Sequence, residues 1–203
     1  MNTWDQLATD AEIEKTTEAL NARGISVVVA KNKEEAKKIV LDLIPEGAEV
    51  MTMSSVTLES MGLEAEINES DKYDSVKKKL SLLDRETQGL EMKKIGSAPK
   101  YALGSVHAVT QDGQVLIASN TGSQLSGYVY GAQQVIWVVG TQKIVKNIEE
   151  GMERLNSYVV PLEDEHMQKL YGIHTNVSKL LIFNKEIIPG RIHLVFVNEN
   201  VGF

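Results

Sequence analysis

Residues 25–30 read Ile25-Ser26-Val27-Val28-Val29-Ala30, a mostly β-branched apolar run with a helical pattern on either side. Such a run predicts a strand that is covered on both faces. Before it, residues 1–23 form a predicted N-terminal helical segment, with Asp10 as the N-cap and Gly24 as the C-terminal stop. After it, Asn32 is the predicted cap of a second helix.

A second strand is predicted at residues 48–53, and another helix begins at about Thr57. The order helix, strand, helix, strand, helix, with short connections, is typical of a parallel sheet built by right-handed crossovers. Residues 68–100 are ambiguous. Three apolar residues in that region recur at helical spacing: Val76, Leu80 and Leu83. The lysine run 77–79 between them predicts a solvated helix face.

The pattern changes at residues 106–119, where two strand-like runs flank Asp112-Gly113. Asp-Gly between two such runs is a strong hairpin signal, because both turn residues need a positive φ. We expect this hairpin to join the sheet. Further strands are predicted at residues 134–139, 180–183 and 192–197. The predicted fold class is therefore α/β, a mixed and mostly parallel sheet with flanking helices and an antiparallel hairpin, in a single domain over residues 1–203.

The composition is that of an ordinary globular protein, with 42% hydrophobic and 24% charged residues among 203. A net charge of −7, from 28 acidic and 21 basic residues, disfavours nucleic acid and anionic membranes as partners. The absence of cysteine excludes disulfides and cysteine-ligated clusters within this chain. No apolar run reaches the ~20 residues of a membrane helix and no secretory signal is evident, so we expect a cytoplasmic protein.

The chain carries no phosphate-loop, dinucleotide-binding or nucleophile-elbow motif, and we expect no cofactor. The four histidines lack metal-ligand spacing, so no metal is expected: His107, His166, His174 and His193. Trp137 and Tyr128 are expected to pack rather than to stack on a cofactor. Arg191 either binds a carboxylate or forms an internal ion pair.

Two polar loops carry most of the functional signal, and each follows a predicted strand. In the first, the candidate anion ligands are Ser54, Ser55 and Thr57, next to the predicted start of a helix. Unpaired backbone N–H groups and the helix dipole favour an anion at such a place. The alternative is that Ser54 or Ser55 caps the helix.

The second loop holds small and polar residues that could form a backbone nest for a phosphate or a carboxylate: Asn120, Thr121, Gly122, Ser123 and Gln124. The alternative is an ordinary solvated turn. In open α/β sheets, ligands collect beyond the carboxyl ends of the strands. The two loops are therefore expected to meet in one cleft.

Several stretches of the chain resemble the LUD-domain family, named for lactate-utilisation proteins. These stretches lie in order along most of the sequence: residues 44–50, 54–59, 103–110, 112–115, 122–124, 135–140, 143–145, and 189–192 through 201–203. The resemblance implies the fold shared by ribose-5-phosphate isomerases, glucosamine-6-phosphate deaminases and CoA transferases. It also implies a small anionic metabolite as ligand, bound by the two polar loops, and iron–sulfur proteins as partners.

Two positions depart from the family pattern. Met53 stands where the family usually has glycine, and its bulk would hinder close approach of an anion to the backbone. Gln111 stands where the family commonly has glutamate, and an amide cannot serve as the acyl-transfer nucleophile of CoA transferases. The candidate pocket also includes Gly104, Gln111 and Asp112.

Three functions fit these observations. The first is an accessory protein that binds a small hydroxy or keto acid in lactate utilisation. The second is an enzyme of the sugar-phosphate isomerase or CoA-transferase type, with Asp112 as the nearest carboxylate for proton transfer. The third is an interaction module whose pocket is vestigial. A homo-oligomer is consistent with all three.

Overall fold

The computed structural model describes residues 4–203. Its strands are β1 Ile25–Ala30, β2 Glu49–Thr52, β3 Asp74–Ser75, β4 Tyr101–Gly104, β5 Ala108–Thr110, β6 Val115–Ser119, β7 Gln134–Gly140, β8 Ile144–Val145, β9 Lys179–Phe183 and β10 Ile192–Val197. Its α-helices are α1 Asp10–Ala22, α2 Lys33–Asp42, α3 Val56–Ser60, α4 Leu63–Glu69, α5 Val76–Ser81, α6 Arg85–Ser97, α7 Ser123–Ser126, α8 Ile148–Arg154 and α9 Val160–Tyr171. Two π-helical turns, Gly127–Gly131 and Leu155–Val159, and a 3₁₀ turn, Thr141–Lys143, complete the elements.

The strands form two sheets. The main sheet has six parallel strands in the order β1-β10-β7-β4-β2-β3. The second sheet has the order β8-β5-β6-β9, with β6 antiparallel to both of its neighbours. The predicted fold class is confirmed, and the last strand, β10, lies inside the main sheet between β1 and β7.

The expectation that the hairpin joins the main sheet is wrong. The hairpin strands β5 and β6 pair with β8 and β9, and all of their residues are buried. One face of this second sheet shares a core with the main sheet, and its other face is covered by α8 and the turn after it. Burial alone does not decide between the two sheets, because the strands β7 and β10 are also buried and lie in the main sheet.

The hairpin turn also differs from the predicted type. Gly113 has φ +86°, and within residues 4–203 no residue other than glycine has a positive φ, so Asp112 does not. The backbone N–H of Gly113 donates to Thr110 O, and the N–H of Thr110 donates to Gln114 O. The loop is therefore a three-residue connection with glycine at its left-handed position, a common alternative to the two-residue turn.

Strand β1 is not covered on both faces as predicted. Val28 and Val29 are each 43% exposed. The run is β-branched as a buried strand would be, but the strand order puts β1 at the edge of the sheet. Edge position depends on the whole topology and cannot be read from the run itself.

Helix caps agree with the sequence to within one residue. Helix α1 is capped by Thr9 rather than Asp10, because Thr9 and Glu12 form a reciprocal capping box. Asn32 caps α2 as predicted, accepting a hydrogen bond from Glu35 N. Of the predicted N-terminal helical segment, residues 1–3 lie outside the described residues.

The ambiguous region 68–100 contains β3, α5 and α6, and the strand β4 follows it. The lysine run is less solvated than predicted. Lys77 is half-buried and pairs with Glu64, and Lys79 pairs with both Glu49 and Asp74.

The core between the two sheets is built around Trp137. Its ring makes edge-on contacts with Tyr128 and Phe183, with centroids 5.6 and 5.5 Å away. The packing role predicted for Trp137 and Tyr128 is therefore confirmed. Among the described residues, no helix is long and apolar enough to span a membrane.

Arg191 forms the internal ion pair that was one of its two predicted roles. It is 3% exposed, and its Nη1 donates to Glu186 Oε2 at 2.6 Å. Its Nε donates to Ala132 O, and its Nη2 donates to Gly127 O and Tyr128 O. Every nitrogen of the Arg191 guanidinium therefore has a partner, and its Nε and Nη2 hold the first π-helical turn and the residue after it against the sheet.

Candidate functional site

A small cleft of about 100 Å³ lies beyond the carboxyl ends of β2 and β6. Its lining comes from β2 and the loop after it, from α5 and from the start of α7: Met51, Thr52, Met53, Ser54, Lys77, Ser123 and Gln124. Residues from both polar loops therefore line one cleft, although about 70 positions separate them in the sequence.

Three of the eight predicted ligand residues line the cleft: Ser54, Ser123 and Gln124. Ser55 is the N-cap of α3 by position, but its side chain makes no capping hydrogen bond. Asn120 accepts hydrogen bonds from Ser178 Oγ and from Lys179 Nζ, and does not line the cleft.

The second loop is held mainly by its own side chains. Ser119 Oγ donates to Gln124 Oε1 at 2.9 Å and accepts from the backbone N–H of Gly122 at 2.8 Å. Gln124 Nε2 donates to Ala118 O. Thr121 Oγ1 donates to Ser123 Oγ at 3.1 Å, which leaves the Ser123 hydroxyl proton available to a ligand. In this loop, Gln124 therefore shapes the cleft and Ser123 supplies a donor.

The bulk of Met53 is directed into the protein. The side chain is 5% exposed, and it lies against Gly104 and Gly127, where an added Cβ would come within 3.2 Å of it. A Cβ on Gly104 would also lie 1.8 Å from the Tyr128 hydroxyl. Gly104 therefore allows the packing beneath the cleft but does not line it.

Gln111 and Asp112 lie at the hairpin turn and contact helix α1. Gln111 Nε2 donates to Glu12 Oε1, and its Oε1 accepts from Lys15 Nζ. Asp112 is largely exposed and faces Arg23 at 3.9 Å. The turn is at the opposite end of β6 from the second polar loop, so neither residue lines the cleft.

Thr57 leads to a second polar cluster that the sequence did not indicate. It is 1% exposed, donates to Val201 O at 3.2 Å and accepts from Lys143 Nζ at 3.0 Å. Lys143 is 2% exposed and also donates to Ser105 Oγ and Val106 O, at 3.2 and 3.3 Å.

Arg154, at the end of α8, belongs to the same cluster. It is fully buried, and its Nη1 donates to His107 O at 2.6 Å. The Tyr158 ring lies over the guanidinium, with its centroid 5.4 Å from Cζ. No local sequence pattern marks either cation, because the burial of Lys143 and Arg154 depends on the packing of the whole fold.

Burial and mutual repulsion change the pKa values in this cluster. Burial, with the charge of Arg154, lowers the pKa of Lys143 to about 7. Burial lowers the pKa of Arg154 to about 10, so that it stays charged at neutral pH. Burial and the two cations lower the pKa of His107 to about 3, and its Nδ1 accepts a hydrogen bond from Ala118 N, as a neutral ring can. Within residues 4–203, no three or more His, Cys, Asp or Glu side chains are placed to hold a metal ion.

The parallel sheet, the second sheet packed on it and the cleft beyond the carboxyl end of β2 define an open α/β protein. The family model for the LUD domain matches residues 13–197, and the chain belongs to the LUD-domain family. A similar solved structure is the crystal structure of a DUF162 family protein from Deinococcus radiodurans at 1.70 Å resolution. The two chains share 11% sequence identity with a TM-score of 0.60, over 95% of this chain and 100% of that one. No match was found among curated proteins.

Proposed function

We propose that this protein is an accessory component of a lactate-related oxidation system, in which it binds a small organic anion such as a hydroxy or keto acid. The link to lactate utilisation is supported by the family to which the chain belongs. The observation that carries anion binding is the meeting of Ser54, Ser123 and Lys77 in one cleft. Two hydroxyl donors and one ammonium group are suited to a carboxylate or a phosphate.

An accessory role fits this cleft better than catalysis. Its lining residues carry hydroxyls, an amide, thioethers and one ammonium group, and in the described structure no carboxylate or imidazole lines it. Proton transfer needs a general acid or base within hydrogen-bond reach of the ligand. Asp112, the predicted candidate for that role, is at the far hairpin turn. Redox steps would fall to partner proteins with iron–sulfur clusters, since this chain has no cysteine to ligate one.

Ligand-dependent melting tests the cleft with two matched lysine variants. Lys77 lines the cleft, whereas its neighbour Lys78 is more exposed and faces Asp71. At a ligand concentration of about 100 times Kd, a native-state ligand stabilises the fold by about 2.7 kcal/mol. We expect lactate, pyruvate or a sugar phosphate to raise the melting temperature, and Lys77→Met to weaken that response while Lys78→Met preserves it. Equal responses in the two variants, or none with any ligand, would contradict anion binding in the cleft.

A further inference from the structure

We propose that Arg154 and Lys143 form a buried binding site for the carboxylate group of a small organic acid, which binds along the unpartnered edge of the Arg154 guanidinium. This site is distinct from the cleft. In the described structure, no residue that lines the cleft hydrogen-bonds to either cation. The proposal does not depend on the function proposed for the cleft.

The first observation is that Arg154 has hydrogen-bonding groups without partners. The residue is 0% exposed, yet within residues 4–203 its Nε and Nη2 have no hydrogen-bond acceptor. Buried polar groups in folded proteins are nearly always satisfied, and charged ones most of all. Arg191, which is also buried, donates from all three of its nitrogens. The unpaired Nε and Nη2 of Arg154 therefore need a hydrogen-bond acceptor that the described residues do not supply.

The second observation is the absence of a counter-charge. Lys143 Nζ donates to two hydroxyl oxygens and one carbonyl oxygen, all of them uncharged. Within residues 4–203, no carboxylate oxygen lies within 4.0 Å of Lys143 Nζ or the Arg154 guanidinium, and residues 1–3 carry no acidic side chain. Each cation disfavours the charge of the other in a buried region, so an anion bound at the free edge of Arg154 would be attracted by both charges.

The third observation is the shape of the free edge. The Nε–H and one N–H of Nη2 point the same way in the guanidinium plane, and this fork matches the two oxygens of a carboxylate. The Tyr158 ring contacts the face of the guanidinium, so it does not take up the hydrogen-bonding positions along the edge. Tyr158 belongs to the π-helical turn Leu155–Val159, and such turns are frequent at functional sites. Binding at the buried edge would therefore require this turn to open.

The test compares the full chain with Arg154→Met, in which an apolar side chain of similar length replaces the cation. Thermal unfolding is followed at pH 6.5 in sodium acetate, lactate or phosphate, each against sodium chloride at equal ionic strength. We expect the carboxylates to raise the melting temperature of the wild type saturably, by about 5–10 °C at 100 times Kd. Arg154→Met should lose the part of this rise that Lys77→Met retains. Its melting temperature in chloride should equal or exceed that of the wild type, because an uncompensated buried charge has been removed.

Two further variants separate this site from the cleft and guard against misfolding. Lys77→Met removes only the contribution of the cleft, so a carboxylate response should remain in that variant, and Lys143→Met should weaken this remaining response. A carboxylate response in Arg154→Met equal to that of the wild type, or a response that only phosphate produces, would overturn the carboxylate site. The carboxylate site would also be overturned if the wild type shows no saturable response, or if the Arg154→Met chain does not fold. A response lost in Lys77→Met but kept in Arg154→Met would overturn this site and leave the cleft proposal standing.

Discussion

Two buried arginines in this protein have opposite surroundings. Arg191 faces Glu186 and three backbone carbonyls, so its charge and its hydrogen-bonding groups are matched within the chain. Arg154 has one carbonyl partner, an aromatic ring over its face and a second cation nearby. Burial alone therefore does not assign a role to a charged residue. A buried cation whose groups are all matched holds the fold together, and one whose groups are not matched is available to a ligand.

The largest expected effect concerns Arg191. Arg191→Met leaves Glu186 buried without its partner, and breaking a buried pair in this way costs about 3–5 kcal/mol. Denaturant unfolding should show this loss, and a second substitution, Glu186→Leu, should restore part of it because it removes the remaining charge. If Arg191→Met lowers the free energy of unfolding no more than Arg154→Met does, the distinction between the two arginines is wrong.

An effect of similar total size, spread over several pH units, is expected in the pH dependence of stability. The pKa of Lys143 falls from 10.5 to about 7 on folding, so between these values the unfolded chain binds a proton that the folded chain does not. Stability should therefore rise with pH from about 7 to 10.5, by at most about 1.4 kcal/mol per pH unit from this residue. Below pH 7 both states are protonated, and Lys143 contributes no slope.

This contribution is isolated by measuring the free energy of unfolding of the wild type and of Lys143→Met from pH 6 to pH 10 and taking the difference between the two proteins at each pH. Thr57, Ser105, Arg154 and His107 surround Lys143, and none of them is acidic. A difference that stays flat over this range would mean that Lys143 keeps its ordinary pKa. Carboxylate affinity should fall as the pH rises through about 7, because Lys143 then loses its charge.

The smallest effect is expected at the cleft. Glu64 pairs with Lys77, and both side chains are partly exposed. Glu64→Gln should free the ammonium group and raise anion affinity about two- to fivefold, since exposed pairs contribute about 0.2–1 kcal/mol. Titration calorimetry of the variant measures this change. An unchanged or weaker affinity would indicate that Lys77 does not contact the ligand.

The sequence was sufficient for the parts of the fold that local patterns determine. The strands at residues 25–30, 134–140 and 192–197 and the cap at Asn32 follow from β-branched runs and capping chemistry. Strand β4 was missed because its four residues carry no alternation and end in Gly104. The edge position of β1 and the separate sheet of the hairpin depend on strand order, which is a property of the whole chain.

The two proposed sites also differ in how far local sequence patterns reveal them. Ser54, Ser123 and Gln124 could be found because polar loops that follow strands are visible as short runs. Lys143 and Arg154 could not be found in this way, because what distinguishes them is the absence of an acidic side chain from their surroundings. Those surroundings come from residues as distant as Thr57 and Ser105.

The most direct test of the central claim is titration calorimetry of the wild type, Lys77→Met and Arg154→Met with lactate and with acetate at pH 6.5. We predict a saturable site that is present in the wild type and in Lys77→Met and absent in Arg154→Met, although that last variant remains folded. Equal carboxylate affinity in the wild type and Arg154→Met would contradict this prediction.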